Sequence, residues 1–235
     1  MTATPSGRAG LGVLSAAVWI LLSGCTPPDP GRPTTFMHSR HVAARYAMSQ
    51  VRMYQMLARE QKVVDQDKDG IPEFCLLGEL SGELVPRGRT SKIPFTKLGF
   101  LPSGYHTGGS AGKGYCHRKG YFFRIYLARN IDQAGDDRTL GGTQTSPGPA
   151  VPPDAINLQE RHFALYAWPS PKGIIPKYAQ AFFMNESGRI FVQEGTSYIG
   201  PDKTPPAESA YAGHVFTSDI DTSKWKPLLL EPPKP

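Results

Sequence analysis

The chain has 235 residues, with 26 Lys and Arg against 20 Asp and Glu, a net charge of +6 and 39% hydrophobic residues. These ordinary apolar and charged fractions exclude a wholly disordered chain, and the length suffices for one domain with a core. The basic residues are scattered, with no basic helix and no stacking platform, which argues against nucleic acid; weak attraction to anionic lipid or cell-wall polymer is the reading that remains.

Arg8 precedes an uncharged apolar stretch from Leu11 to Leu22. The stretch is shorter than the roughly 20 residues of a spanning helix and of the right length for the apolar region of a secretory signal. It ends Leu22-Ser23-Gly24-Cys25, which resembles the lipobox of bacterial lipoprotein signals. That resemblance implies cleavage after Gly24 and acylation of the Cys25 thiol, with the mature protein in the cell envelope, membrane-anchored and facing the periplasm or the exterior. The alternative is an ordinary cleaved signal with a chance cysteine. The expected organisation is a signal over 1–24, a Pro-rich tether over 25–37, a single α+β domain over 38–220 and a Pro-rich tail over 221–235. The tether should be extended and semi-rigid.

His38 to Val64 reads as one long helix, free of Pro and Gly, with Ala43, Ala47, Val51, Tyr54 and Leu57 recurring at three- and four-residue steps. It stops at Asp65-Gln66-Asp67-Lys68-Asp69-Gly70, followed by Pro72. Strand patterns follow at Gly120–Leu127, Arg161–Trp168, Ala179–Met184 and Arg189–Gln193, the last two joined by the turn Asn185-Glu186-Ser187-Gly188. The fold expected is α+β: a long N-terminal helix packed on a mostly antiparallel β-sheet. Asn130 to Leu158 is polar, Gly/Pro-rich and unpatterned, an excursion or binding loop.

Gly120-Tyr121-Phe122-Phe123-Arg124-Ile125, then Phe163-Ala164-Leu165-Tyr166-Ala167-Trp168-Pro169, then Phe182 to Phe191 with its Asn185-x-x-Gly188 turn, resemble in this order an uncharacterised family of bacterial envelope proteins. The resemblance implies a compartment and a fold, not an activity. The layout is also similar to the pseudopilins of type II secretion, which place a long helix before an antiparallel sheet. Here a lipobox replaces the prepilin cleavage site and the body helix is too polar for a membrane, so that similarity extends to the fold only.

The sharpest chemical pattern is Asp65-x-Asp67-x-Asp69-Gly70-x-x-Glu73. Carboxylates at positions one, three, five and nine, with Gly at six, match the first part of a calcium loop. Leu76 stands where the bidentate Glu of position twelve belongs, so the remaining ligand must come from elsewhere, Glu79 or Glu83 for example. The alternative is a solvated acidic turn at the helix end, although carboxylates there oppose the helix dipole. Cys75 and Cys116 are expected to form a disulfide in an oxidising compartment, the alternative being two separately buried thiols. Gly108-x-Ser110-x-Gly112 fits a nucleophile-elbow spacing but lacks the strand before it and the helix after it, and reads as a glycine loop. The histidines show no metal-ligand spacing and read as surface or packing residues.

These features point to a lipid-anchored envelope protein, not an enzyme, with a structural or interaction role, a membrane contact through its lipid, and an envelope-protein or cell-wall partner. The alternative is an accessory, pseudopilin-like component of a secretion or pilus-type system. Replacing Cys25 with Ser should release the protein from the membrane fraction or leave it uncleaved. Fractionation and immunoblotting in the native host check this, and an unchanged processed, membrane-bound product would refute the lipid anchor.

Overall fold

The helix α1 spans Thr35–Glu60 in the structure, a computed structural model that describes residues 35–89, 114–141, 148–172 and 174–228. Its buried side is Ala44, Ala47, Met48, Val51, Gln55 and Ala58, a helical stripe. The helix closes earlier than the sequence pattern suggests. Lys62 takes a left-handed φ of 48°, its N–H bonds the carbonyl of Arg59 at 2.9 Å, and Val63 N–H bonds that of Ala58 at 3.0 Å. This is a Schellman end with Lys where Gly is usual. Val63 and Val64 then leave the helical path and are buried on their own account.

A seven-stranded antiparallel sheet makes up the rest of the α+β architecture. Its strands are β1 (Cys116–Arg118), β2 (Tyr121–Ala128), β3 (Ala134–Gly135), β4 (Ala164–Pro169), β5 (Gln180–Asn185), β6 (Ile190–Glu194) and β7 (Lys226–Pro227). They lie in the order β1-β2-β4-β5-β6-β7, with β3 added to β2. Lys119 and Gly120, at φ 51° and 82°, make the two-residue turn that sets Arg118 opposite Tyr121. Between β5 and β6, Gly188 has φ 76°, and Arg52 of α1 lies where its Cβ would stand. The left-handed turn therefore favours glycine there, and a side chain would also displace the Arg52 guanidinium.

The central strands are covered on both faces. Tyr121, Phe123, Ile125, Leu165, Ala167, Phe182 and Met184 join the stripe of α1 in one core. The alternate residues Phe122, Tyr126, Tyr166, Trp168 and Phe183 pack with Tyr211, Phe216 and Trp225 in a second. Tyr166 Oη donates to Ala207 O at 2.8 Å, Trp168 Nε1 to Gly200 O at 2.8 Å, and Trp225 Nε1 to Ser209 O at 2.8 Å. These polar ends fasten the C-terminal segment over its face of the sheet. The stretch from 221, expected as a tail, thus belongs to the body at least as far as 228, because the fully buried Trp225 and the β6–β7 pairing hold it.

The excursion after β2 also has structure. It contains β3 and the helix α3 (Pro153–Gln159), whose Ala155 is buried in the second core. A single turn, α2 (Leu77–Leu80), lies between α1 and the sheet in sequence and is wholly buried. The expected Cys75–Cys116 bridge is not formed: both cysteines are free, buried thiols. Each packs as a small hydrophobe in the first core, and burial pushes both thiols up, so neither is a ready thiolate. The main chain of Cys75 is clamped by the buried Gln55 of α1, whose Nε2 donates to Cys75 O at 2.7 Å and whose Oε1 accepts from Cys75 N at 2.8 Å. Gln55→Ala strands two buried backbone groups and should lower stability by about 2–4 kcal/mol, measured by urea unfolding; a loss below about 1 kcal/mol would show that the clamp contributes little.

Candidate metal centre

The acidic loop begins where the Schellman turn releases the chain. Lys68 at φ 64° and Gly70 at φ 91° curl it back on itself. Asp69 N–H donates to Asp67 Oδ1 at 3.2 Å and Ile71 N–H to Asp69 Oδ1 at 2.7 Å, so each carboxylate is oriented by the backbone two residues on. The result is that Asp65, Asp67 and Asp69 each offer an oxygen within 4.8 Å of the others. Asp65 is half-buried, with Oδ1 buried and without a hydrogen-bond partner.

Glu73 belongs to the same loop but lies inside the protein. Its Oε1 accepts from Gln66 N at 2.9 Å and from Gln66 Nε2 at 3.1 Å, while Oε2 is buried and unpartnered. Burial raises its carboxyl above the usual range, against the Gln66 hydrogen bonds and the charge of Arg87. Hard oxygens from alternate positions around a Gly-permitted turn suit a divalent cation such as calcium. The structure thus brings three of the four expected ligands, Asp65, Asp67 and Asp69, close together, and Glu73 is not in that group. Leu76, at position twelve, is buried in the first core. Glu79 is committed elsewhere: Oε2 accepts from Leu76 N at 2.7 Å, and Oε1 accepts from Arg87 N at 2.8 Å and Arg87 Nε at 2.9 Å.

Behind the loop runs a buried polar network. Arg87, 1% exposed, pairs with Glu79 at 2.9 Å and also donates to Phe74 O at 2.5 Å and to Gln159 Oε1. Gln159 Nε2 donates to Ala128 O at the end of β2, and Gln66 Nε2 reaches Gln159 Oε1 at 3.0 Å. The loop is therefore wired to α3 and the sheet through Gln66 and Gln159, residues 93 positions apart. Arg87, Gln159 and the buried Asp137 had no sequence signal, since nothing in local spacing marks a polar residue that is satisfied across the fold.

Asp137 is buried, with Oδ1 accepting from Gly78 N at 2.9 Å and Oδ2 unpartnered. Burial, with the charges of Glu79 and Asp136 adding to it, pushes its carboxyl up to about 7 against the Gly78 hydrogen bond. Its neighbour Asp136 is paired with Arg138 at 3.1 Å and with the buried Arg124 at 3.4 Å. Histidines do other work: His41 packs edge-on against Tyr121 and Phe182, held neutral by a pKa lowered to about 4 through burial, and His162 meets Glu186 at 3.2 Å. The glycine loop with Ser110 and the Cys25 acylation site lie outside the described residues. Among the described residues no helix is long and apolar enough to cross a membrane. An apolar groove of about 840 Å³ lies between Val42 and Tyr46 of α1 and Ile190 and Leu228 at the sheet edge.

Comparison with protein-family models, with curated proteins and with solved structures finds no match. The geometry therefore carries the functional reading by itself.

Asp137 makes one consequence measurable. In the fold it keeps its proton to about pH 7, whereas the unfolded chain releases it near 3.8. The native state therefore binds more protons between those values, and stability contributed by this group falls as pH rises through the window. Asp137→Asn preserves the acceptor for Gly78, so it should match the wild type near pH 4 and melt progressively higher than it towards pH 8. Melting curves across that range in chelator check it, and a difference independent of pH would refute the buried acid.

Proposed function

We propose that this chain is a lipid-anchored, non-catalytic protein of the cell envelope whose body has a structural or interaction role and is held in shape by calcium at Asp65, Asp67, Asp69 and Glu73. The observation that carries the reading is the convergence of one oxygen from each of Asp65, Asp67 and Asp69 within 4.8 Å; Glu73 follows in the same loop, its Oε2 buried without a hydrogen-bond partner. Like charges at such separations repel by an amount that depends on how far water screens them, on the order of 1 kcal/mol per pair in bulk water and more where burial lowers the dielectric. A cation turns that repulsion into coordination. In doing so it draws the loop onto the end of the long helix α1 and, through Gln66, onto the buried network.

The lipobox-like Leu22-Ser23-Gly24-Cys25 supports the anchor, and the Pro-rich run after Cys25 supports a spacer that lifts the body from the membrane. Calcium is plentiful outside the cytoplasm, so a site lacking its position-twelve glutamate can fill there at a dissociation constant of about 0.1–1 mM. The engagement of His41 and His162 in packing and pairing supports a role other than catalysis. Partner contact is supported by the exposed stripe Val42, Tyr46, Met53 and Met56 on α1, spaced to lie on one side of the helix. The same stripe favours the second reading, an accessory subunit of a secretion or pilus-type assembly, which would show as co-purification with such a machine.

Calcium at ten times its dissociation constant should stabilise the wild type by about 1.4 kcal/mol. Melting curves with calcium and with chelator should differ for the wild type and coincide for Asp67→Asn. If the wild type melts identically under both conditions, the loop is a solvated turn.

A further inference from the structure

We propose that the groove between α1 and the β6–β7 edge, with the exposed stripe of α1 beside it, docks the protein onto anionic phospholipid at a membrane surface. This deepens the envelope reading above by naming lipid as the partner of that face, and it rests on that reading only for a membrane being within reach.

The helix supplies the first half of the surface. α1 turns Ala44, Val51 and Ala58 to the core. On the opposite side Val42, Tyr46, Met53 and Met56 are exposed, and with Ser49 in the middle they follow at four-, three-, four- and three-residue steps. That spacing makes one continuous row, about 21 Å long at the rise of an α-helix. Tyr46 is 65% exposed, more than any other large hydrophobic residue among those described. Single apolar residues on a surface need no partner, whereas a contiguous row marks a site of contact.

The sheet edge supplies the second half. Leu228 N–H donates to Ile190 O at 2.8 Å, which continues the β6–β7 pairing and holds Leu228 beside β6. Ile190 and Leu228 line the groove of about 840 Å³ with Val42 and Tyr46. The charged residues of its lining are Arg45 and Arg189, and among the described residues no acid lines it. The surroundings have the same sign. Arg52 follows Arg45 seven residues on, and α1 carries no Asp or Glu before Glu60.

An apolar floor under cationic walls fits an occupant that is apolar and anionic in one molecule. A phospholipid meets both demands: its phosphate suits the planar guanidinium fork, and its glycerol and acyl region suits Val42, Ile190 and Leu228. Tyrosine is at home at such a boundary, and a helix with basic flanks and an apolar row lies in the plane of the bilayer surface. A second copy docking by the same face would set arginine against arginine, which like charge opposes. Reach is sufficient as well. α1 begins at Thr35, ten residues after Cys25, and an extended chain of that length spans at most about 35 Å. An acylated Cys25 therefore keeps this face at high effective concentration beside the lipid.

The test is flotation of the mature chain from residue 25, carrying Cys25→Ser, on vesicles of phosphatidylglycerol and phosphatidylcholine and on phosphatidylcholine alone. Chelator is present throughout, so that calcium cannot bridge the acidic loop to lipid. The chain should float with the anionic vesicles, less so as salt is raised. Arg45→Gln and Arg189→Gln should each weaken binding about fivefold, and Tyr46→Ser about tenfold. Lys203→Gln makes the same charge change on the other face, between Gly200 and Pro205, which bond Trp168 and Tyr126, and should bind as wild type does. Arg189 and Tyr46 are exposed, so their variants should melt with the wild type and keep the test open should Arg45→Gln unfold. Equal binding to phosphatidylcholine alone, or equal weakening by Lys203→Gln, overturns the proposal. If only a chain ending at Leu228 binds, residues 229–235 fill the groove and the proposal is overturned. A dimer in solution that Tyr46→Ser dissociates overturns it in favour of a second copy. Absence of vesicle binding by a protein that is acylated in its host strikes this face and leaves the anchor standing. Vesicle binding by a protein that is not acylated there strikes the anchor and leaves this face standing.

Discussion

A guanidinium removed from water must find its counter-charge and its acceptors inside the protein, and Arg87 does so at three residues, Glu79, Phe74 and Gln159. It pairs with Glu79 of α2, donates to the main chain at Phe74, reaches the Gln159 side chain of α3, and through Gln159 is tied to the last carbonyl of β2. Leaving any of these groups unpaired at such burial would cost several times what the bond itself contributes. The network therefore works as a register device: the segment from Asp65 to Arg89 and the end of α3 can each take only the position at which all the partners meet. The acidic loop inherits its geometry from that constraint, since Gln66 and Glu73 are members of the same web.

The sheet gives the web something rigid to hold. With α1 on one face and the C-terminal segment on the other, β2, β4 and β5 are buried on both sides. Their near-continuous apolar runs reflect this, since a strand exposed on one face alternates. The aromatic residues of the second core end in hydroxyl or indole groups that bond the carbonyls of the covering segment, so an irregular stretch is held in place without forming strands of its own. Asp67 and Asp69 remain exposed on the acidic loop outside this body.

Three kinds of acid therefore coexist here, and their surroundings separate them. Asp137 has a backbone donor and no close cationic partner for its second oxygen, and burial drives it towards the neutral form. The aspartates of the loop are of another kind: Asp67 and Asp69 are exposed, Asp65 is half-buried, and one oxygen of each lies within 4.8 Å of the others. Glu79 represents the third solution, a charge neutralised permanently by Arg87.

The sequence by itself determined the elements whose signal is local. The runs at Gly120–Leu127, Arg161–Trp168, Ala179–Met184 and Arg189–Gln193 became β2, β4, β5 and β6 with ends shifted by one to three residues, because β-branched and aromatic patterning and the Asn185–Gly188 turn act over a few positions. The closeness of Asp65, Asp67 and Asp69 was legible for the same reason, since alternate residues around a glycine turn lie near one another, whereas the place of Glu73 was set by Gln66 and the network behind the loop. Tertiary structure alone decided that Trp225 and β7 belong to the body, that α3 forms within a stretch without hydrophobic period, and that Cys75 and Cys116 remain thiols. It alone decided that Glu79 is taken by Arg87 and that Gln159 meets Gln66 from 93 positions away. Such pairings are set by which buried polar groups must satisfy one another once the sheet and helices have closed, and a linear pattern carries no record of that.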